Sequence, residues 1–307
     1  MSTGERDLEA IGAQVSGTDL DAESGARVRL DRVGLLTGLG RLGDLAVWWA
    51  GVRGEAAAGP AHDVVRIVPA AGPAPVGDAR GARGAGPHPV TGPLAQGNLP
   101  RDPAPVRTVA LAPPADHAGA LAWGVATADT LVDSGADLLL ISAPDLVPSR
   151  VLAAQLLGLD AVEANGWPTD TGIDDRTWMD QVTAIRDGLF RLRRLRPFPE
   201  EVLGALGSPM LTAATALLLR SAARRTPAIL DGSGAAASAL LAQRLAPYSR
   251  DWWQVGHLGD HPLHERCLDT LRLAALTRLG ITLEDGTGAL LGLTALDLAA
   301  CLLAGAG

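Results

Sequence analysis

Residues 136–141 read ADLLLI. The run is apolar apart from Asp137, does not alternate, and is too short for a core helix. It is therefore expected to be a strand buried on both faces, which is the signature of a parallel sheet. A helical pattern over 118–134 precedes it and stops at Gly135, and another helix begins over 151–157. The arrangement repeats downstream. Residues 227–230 form a short apolar run between helical stretches at 211–225 and 235–245, and 252–255 are strand-like ahead of a helix at 262–279 that Gly280 ends. Residues 64–68 and 107–111 read as further short strands. Residues 174–195 form a long amphipathic helix closing in an arginine cluster, which suits a helix C-terminus. Strands alternating with helices of roughly 10–15 residues give an α/β class, a parallel sheet with helices on both faces.

The rest of the chain adds fewer elements. Residues 1–30 look like a polar N-terminal arm with one weak amphipathic helix, and 41–52 are helical. Residues 53–114 turn sharply toward Gly and Pro, and 72–106 are expected to be a long mobile loop. The formal net charge of -8 argues against a nucleic-acid partner, which would need a basic face. All 26 basic residues are arginine, so neither a Schiff-base lysine nor a P-loop lysine exists. Cys267 and Cys301 lie in apolar helical stretches and are expected to be reduced core thiols. No basic and apolar leader opens the chain, and runs such as 211–219 are too short to span a bilayer. A cytoplasmic protein without a membrane partner is expected.

In such a sheet, ligands bind beyond the carboxyl ends of the strands. That rule selects Ser142 and Asp145 after the first strong strand, with Ser149 and Arg150 following. It selects Asp231 and Gly232 after the second, and Gly256 and His257 after the third. The turn Glu284, Asp285, Gly286, Thr287 and Gly288 precedes a helix, so its backbone N–H groups are placed to face an anion. Simpler readings stand beside these. An Asp-Gly after a strand is common turn chemistry. Glu284 and Asp285 also suit a solvated pair at a helix start. His257, His261 and His264 lack a paired Cys or carboxylate, so no metal is expected. Trp252 and Trp253 suit the core or a dimer surface.

The same positions carry a resemblance. Residues 37–45 (TGLGRLGDL) resemble the GSLGRLxxL segment of the nicotinate-nucleotide:dimethylbenzimidazole phosphoribosyltransferase family. Gly172, Ile173, Asp174 and Asp175 with Trp178 and Met179 resemble its actinobacterial segment. Residues 227–232 (PAILDG) resemble its PVxLDG strand. Asp251, Trp252 and Trp253 with Gly256 and His257 resemble its DWW and GH stretch, and residues 284–289 (EDGTGA) its GEGxGA turn. The resemblance implies a homodimer. It implies a Rossmann-like large domain at 61–262 and a small helical domain from the chain ends, 31–60 and 263–307. It implies transfer of 5-phosphoribose from nicotinate mononucleotide to an aromatic base, dimethylbenzimidazole, in the synthesis of the lower ligand of cobalamin. Asp285 stands at the position of the family's catalytic Glu, and no cofactor is implied.

The chain departs from that pattern at working positions. Asp285 is one methylene shorter than Glu. Where the family has a glycine-rich phosphate loop, residues 142–150 read SAPDLVPSR, with two prolines that remove N–H donors. Gln181 takes the place of a lysine, and residues 69–72 (PAAG) stand near the place of a DHG segment. These changes lead us to expect an eroded phosphate site, with Arg150 or Arg176 left to hold an anion. A second expectation follows: a catalytically silent homologue, acting as the heterodimer partner of an intact relative or as a ligand-binding protein. A third is other chemistry at the same strand ends, through Asp231, His257 and Asp285.

Overall fold

The computed structural model describes residues 3–69, 106–168, 173–193, 195 and 199–306. The loop expected at 72–106 lies outside these residues, apart from Val106. Six strands form one parallel sheet: β1 (Val64–Pro69), β2 (Arg107–Leu111), β3 (Leu138–Ser142), β4 (Ala228–Asp231), β5 (Trp253–His257) and β6 (Ala275–Thr277). Their order is β2-β1-β3-β4-β5-β6, every neighbouring pair parallel. β3 and β4 are buried along their whole length, as continuous apolar runs require. Helices cover both faces. The chain leaves β1 toward one edge and β3 toward the other, so a crevice opens between their carboxyl ends, where such folds bind ligands.

The helices in chain order are α1 (Thr3–Gly12), α2 (Leu20–Arg32), α3 (Arg41–Arg53), α4 (His117–Asp133), α5 (Leu146–Leu157), α6 (Ala161–Asn165), α7 (Asp175–Leu192), α8 (Pro199–Leu206), α9 (Pro209–Ala223), α10 (Gly232–Leu245), α11 (Pro262–Leu271) and α12 (Thr287–Gly305). Side chains that accept from orphan N–H groups fix several starts. Asp116 caps α4, Asp174 caps α7 and Ser208 caps α9, where Pro209 opens the first turn.

The structure differs from the sequence reading in several places. The first thirty residues hold two helices, and Leu8, Ile11, Ala26 and Leu30 are buried, so this segment is no solvated arm. The helix expected over 262–279 ends at Leu271. Arg272 takes a left-handed conformation (φ 54°), and the chain then adds β6 beside β5. Three residues are too few to show a strand period, which is why 275–277 read as helix. Cys267 is buried but Cys301 is exposed. Finally, α5 starts at Leu146 and α10 directly after β4, so residues expected in loops are helical.

α12 is apolar and long enough to cross a membrane by length and composition, but half of it is buried inside the molecule as a core helix. It lies backbone to backbone on the sheet. A Cβ added to Gly256 of β5 would sit 2.1 Å from the Gly288 carbonyl oxygen, and one on Gly292 would sit 2.7 Å from the Gly256 Cα. Both ends of this arrangement are tied down. Arg29 Nε of α2 donates to the Leu303 carbonyl (3.0 Å), and Arg41 of α3 donates to the carbonyls of Ala274 (2.8 Å) and Ala275 (2.6 Å). This packing delivers the 284–288 turn onto the strand ends.

Candidate active site at the strand ends

The turn is latched to three strands. Ser142 Oγ at the end of β3 donates to the Glu284 carbonyl (2.7 Å). Gly286 N–H donates to Asp231 Oδ2 at the end of β4 (2.7 Å). From β1, Arg66 Nη2 donates to the Asp285 carbonyl. Gly288 packs against Asp231 and His257: a Cβ there would lie 2.2 Å from Asp231 Oδ1 and 2.7 Å from the His257 Cβ. Ser142, Asp231, Gly256, His257 and the 284–288 turn therefore meet, although the sequence scatters them over more than a hundred positions.

Each carboxylate has a distinct setting. Asp231 is buried, and its pKa is pushed up to about 8, chiefly by burial, with the negative neighbours Glu284 and Asp285 adding to the shift and the Gly286 N–H and Arg66 opposing it. Glu284 Oε1 accepts from the N–H (2.6 Å) and Oγ (2.7 Å) of Ser233, at the first turn of α10. Burial raises the Glu284 pKa, against these hydrogen bonds and the attraction of Arg150. Gly232 must be glycine here: its φ is +82°, and a Cβ would lie 2.5 Å from the Glu284 side chain. Asp285 is buried, and its Oδ1 accepts from Thr287 N–H (3.0 Å). Glu284 and Asp285 are thus no solvated pair.

These contacts correct one expectation. Three N–H groups at the starts of α10 and α12 are already taken by the protein's own carboxylates. Glu284 takes Ser233 N–H, Asp231 takes Gly286 N–H and Asp285 takes Thr287 N–H. Helix N-termini attract negative charge, and the nearest available charge is the protein's own.

The second cluster surrounds Arg150. Its guanidinium is buried on α5, and Nη1 donates to Asn165 Oδ1 and to Gln181 Oε1 (2.8 Å). Burial draws its pKa down to about 10, while Glu284 pulls it the other way. His261 joins through Nε2, which lies 2.9 Å from the Asn165 carbonyl, and burial together with Arg150 pushes its pKa down to about 4. Ser149 Oγ donates to the Leu146 carbonyl within α5 (3.1 Å). Asp145 also leaves the cluster and accepts from Ser208 Oγ (2.5 Å) at the start of α9, with its pKa raised by burial. Arg176 is exposed near the start of α7.

The histidines are committed to backbone. His257 Nε2 accepts from Leu279 N–H (2.9 Å), and His264 Nδ1 accepts from Gly259 N–H (3.0 Å). No group of three or more metal-ligating side chains occurs among the described residues. Trp252 and Trp253 are fully buried in the core. Sequence reasoning missed Arg66, Ser233 and Asn165 as members of the site. The signal for Arg66 was present: a charge in the middle of the apolar run 64–68.

The chain matches known proteins over these same elements. A family model described as phosphoribosyltransferase matches residues 109–306. The nicotinate-nucleotide–dimethylbenzimidazole phosphoribosyltransferase of Mycobacterium ulcerans is 40% identical over 189 residues, covering 61% of this chain and 52% of that one. The protein of the same name from Corynebacterium efficiens is 42% identical over 186 residues, covering 58% and 50%. The chain spans about half the length of these curated relatives. The crystal structure of CobT from Thermus thermophilus superposes with a TM-score of 0.70 at 25% identity, covering 92% of this chain and 96% of that one.

Proposed function

Since the chain belongs to the nicotinate-nucleotide:dimethylbenzimidazole phosphoribosyltransferase family, we propose that it moves 5-phosphoribose from nicotinate mononucleotide to an aromatic base of the dimethylbenzimidazole type. The carrying observation is the convergence of Asp231, Glu284 and Asp285 under one turn at the strand ends, with Arg66 and Arg150 answering their charge. As nicotinate departs, positive charge develops on the ribose, and an ionised carboxylate at the strand ends would stabilise it. The incoming ring nitrogen must lose its proton as it bonds. Asp285 is the assigned base: Thr287 N–H fixes its Oδ1, and no described group donates to Oδ2. Arg150 is assigned to the phosphate, because Asn165 and Gln181 occupy Nη1 alone. Ser142, Asp231, Gly232, Gly286 and Gly288 shape the turn.

In this reading the protein acts in the cytoplasm as a homodimer. Residues 31–60 and 263–307 form the small domain, and the phosphate site is weaker than in relatives with a glycine-rich loop. The capture of helix N–H groups by Glu284, Asp231 and Asp285 favours a second reading, a silent partner of an intact homologue. Chromatography of the protein incubated with nicotinate mononucleotide and dimethylbenzimidazole separates the two. Base-dependent release of nicotinate with matching α-ribazole phosphate supports transfer. Absence of both products at high protein concentration leaves the partner role.

A further inference from the structure

Arg66 stands in the middle of β1 among Val64, Val65, Ile67 and Val68, and it is 2% exposed. Burial lowers its pKa. One donor reaches the Asp285 carbonyl, while Nε and Nη1 have no hydrogen-bond partner among the described residues. Each buried donor left unmade costs about 1–3 kcal/mol. A valine or leucine would fit this strand without that cost, so the charge needs a reason beyond packing.

The reason lies in what surrounds the side chain. Asp231 from β4 and Asp285 from the turn both attract it. Glu284 from the turn adds to the negative potential at Asp231 and is answered by Arg150 from α5. From β5, His257 lies against Gly288, with its pKa lowered by burial against the attraction of Asp260. Gly286 covers the guanidinium directly: a Cβ on it would lie 2.5 Å from Arg66 Nε. The turn, and not a substrate, is thus the group that Arg66 holds.

We infer that Arg66 is a positioning residue for this site, one that anchors the 284–288 turn through the Asp285 carbonyl and supplies positive charge to the buried carboxyl groups of Asp231 and Asp285. The inference rests on reading the turn as the carrier of the base. Arg66→Met keeps the aliphatic stem but removes charge and donors. Arg66→Lys keeps the charge and loses the planar reach to the carbonyl.

The test uses the full chain without substrate, labelled with 13C at aspartate side chains, so it reports even if the wild type transfers nothing. In Arg66→Met the Asp231 titration, near 8 in the native protein, moves up by about one unit. In Arg66→Lys it returns to within about 0.3 unit of native, while amide exchange at Gly286 is about tenfold faster in both variants. An unmoved Asp231 midpoint in Arg66→Met, a lysine variant that titrates like the methionine one, or native exchange at Gly286 each overturns the inference. Should Arg66→Met fail to fold, Arg66→Lys decides. Faster Gly286 exchange with a native midpoint supports the role, and native exchange or a shifted midpoint refutes it. If the wild type releases nicotinate while these titrations fail, only the role of Arg66 falls.

Discussion

Gly256→Ala tests how α12 brings the turn to the sheet. Gly256 has no positive φ, so the substitution adds volume without backbone strain. The new Cβ would lie 2.1 Å from the Gly288 carbonyl oxygen, 2.6 Å from its carbon and 2.7 Å from the Ala289 Cα. The first of these is about 1.3 Å short of ordinary contact, and backbone cannot swing aside as a side-chain tip can. Overpacking of this kind costs at the upper end of the usual range, about 3 kcal/mol, offset by roughly 0.5 kcal/mol from the less flexible unfolded chain. With a urea slope near 3 kcal/mol/M, the midpoint falls by somewhat under about 1 M at unchanged slope. A displacement of about 1 Å at the start of α12 also costs transfer on the order of 100-fold. Gly305→Ala is the control: it ends the same helix with nothing within 4 Å of the added Cβ, and stays within about 0.5 kcal/mol of wild type. If Gly256→Ala stays within about 0.5 kcal/mol of wild type in urea titration, the backbone-on-backbone seating of α12 is wrong.

Three further outcomes follow from the site. Glu284→Ala strands Ser233 N–H at the start of α10 and lowers stability by about 1–2 kcal/mol, read by thermal or urea unfolding. Asp231 contributes a pH dependence of definite sign. Its folded pKa of about 8 exceeds the unfolded value of about 4, so its contribution is present below about 4 and is lost as pH rises through about 8. Asp231→Asn flattens stability against pH across that window, and an unflattened profile contradicts the burial of this carboxyl. Arg150→Gln removes the cation beside Asn165 and Gln181 and weakens mononucleotide binding about 10- to 100-fold, measured by calorimetry.

Much of the scaffold was legible because buried parallel strands read as continuous apolar runs. The runs at 64–68, 107–111, 136–141 and 227–230 mark β1 to β4 to within two residues at either end. β6 was not legible, because three half-buried residues carry no period and only Arg272, in a left-handed conformation, Leu273 and Ala274 separate them from α11. The strand-end rule selected Asp231 and His257, the 284–288 turn was selected by its place ahead of a helix, and the structure sets these residues against one another. The rule also selected Asp145, and Ser149 was a candidate in the stretch that follows; the structure turns them toward Ser208 and Leu146. Proximity in sequence cannot say which way a side chain points once α5 begins at Leu146. Nor can it separate Glu284 from Asp285: adjacent carboxylates on a tight turn face different helices, one capping α10 and the other α12.

The central claim is that the cluster at the strand ends binds a mononucleotide and uses Asp285 as the base. Calorimetric titration of nicotinate mononucleotide into wild type and Asp285→Ala, with nicotinate release followed in parallel after adding dimethylbenzimidazole, tests it most directly. Binding in the micromolar range is expected for both proteins and release for the wild type alone, since removal of a general base costs on the order of 100-fold or more. No binding at millimolar mononucleotide, or release by Asp285→Ala at the wild-type rate, would contradict it.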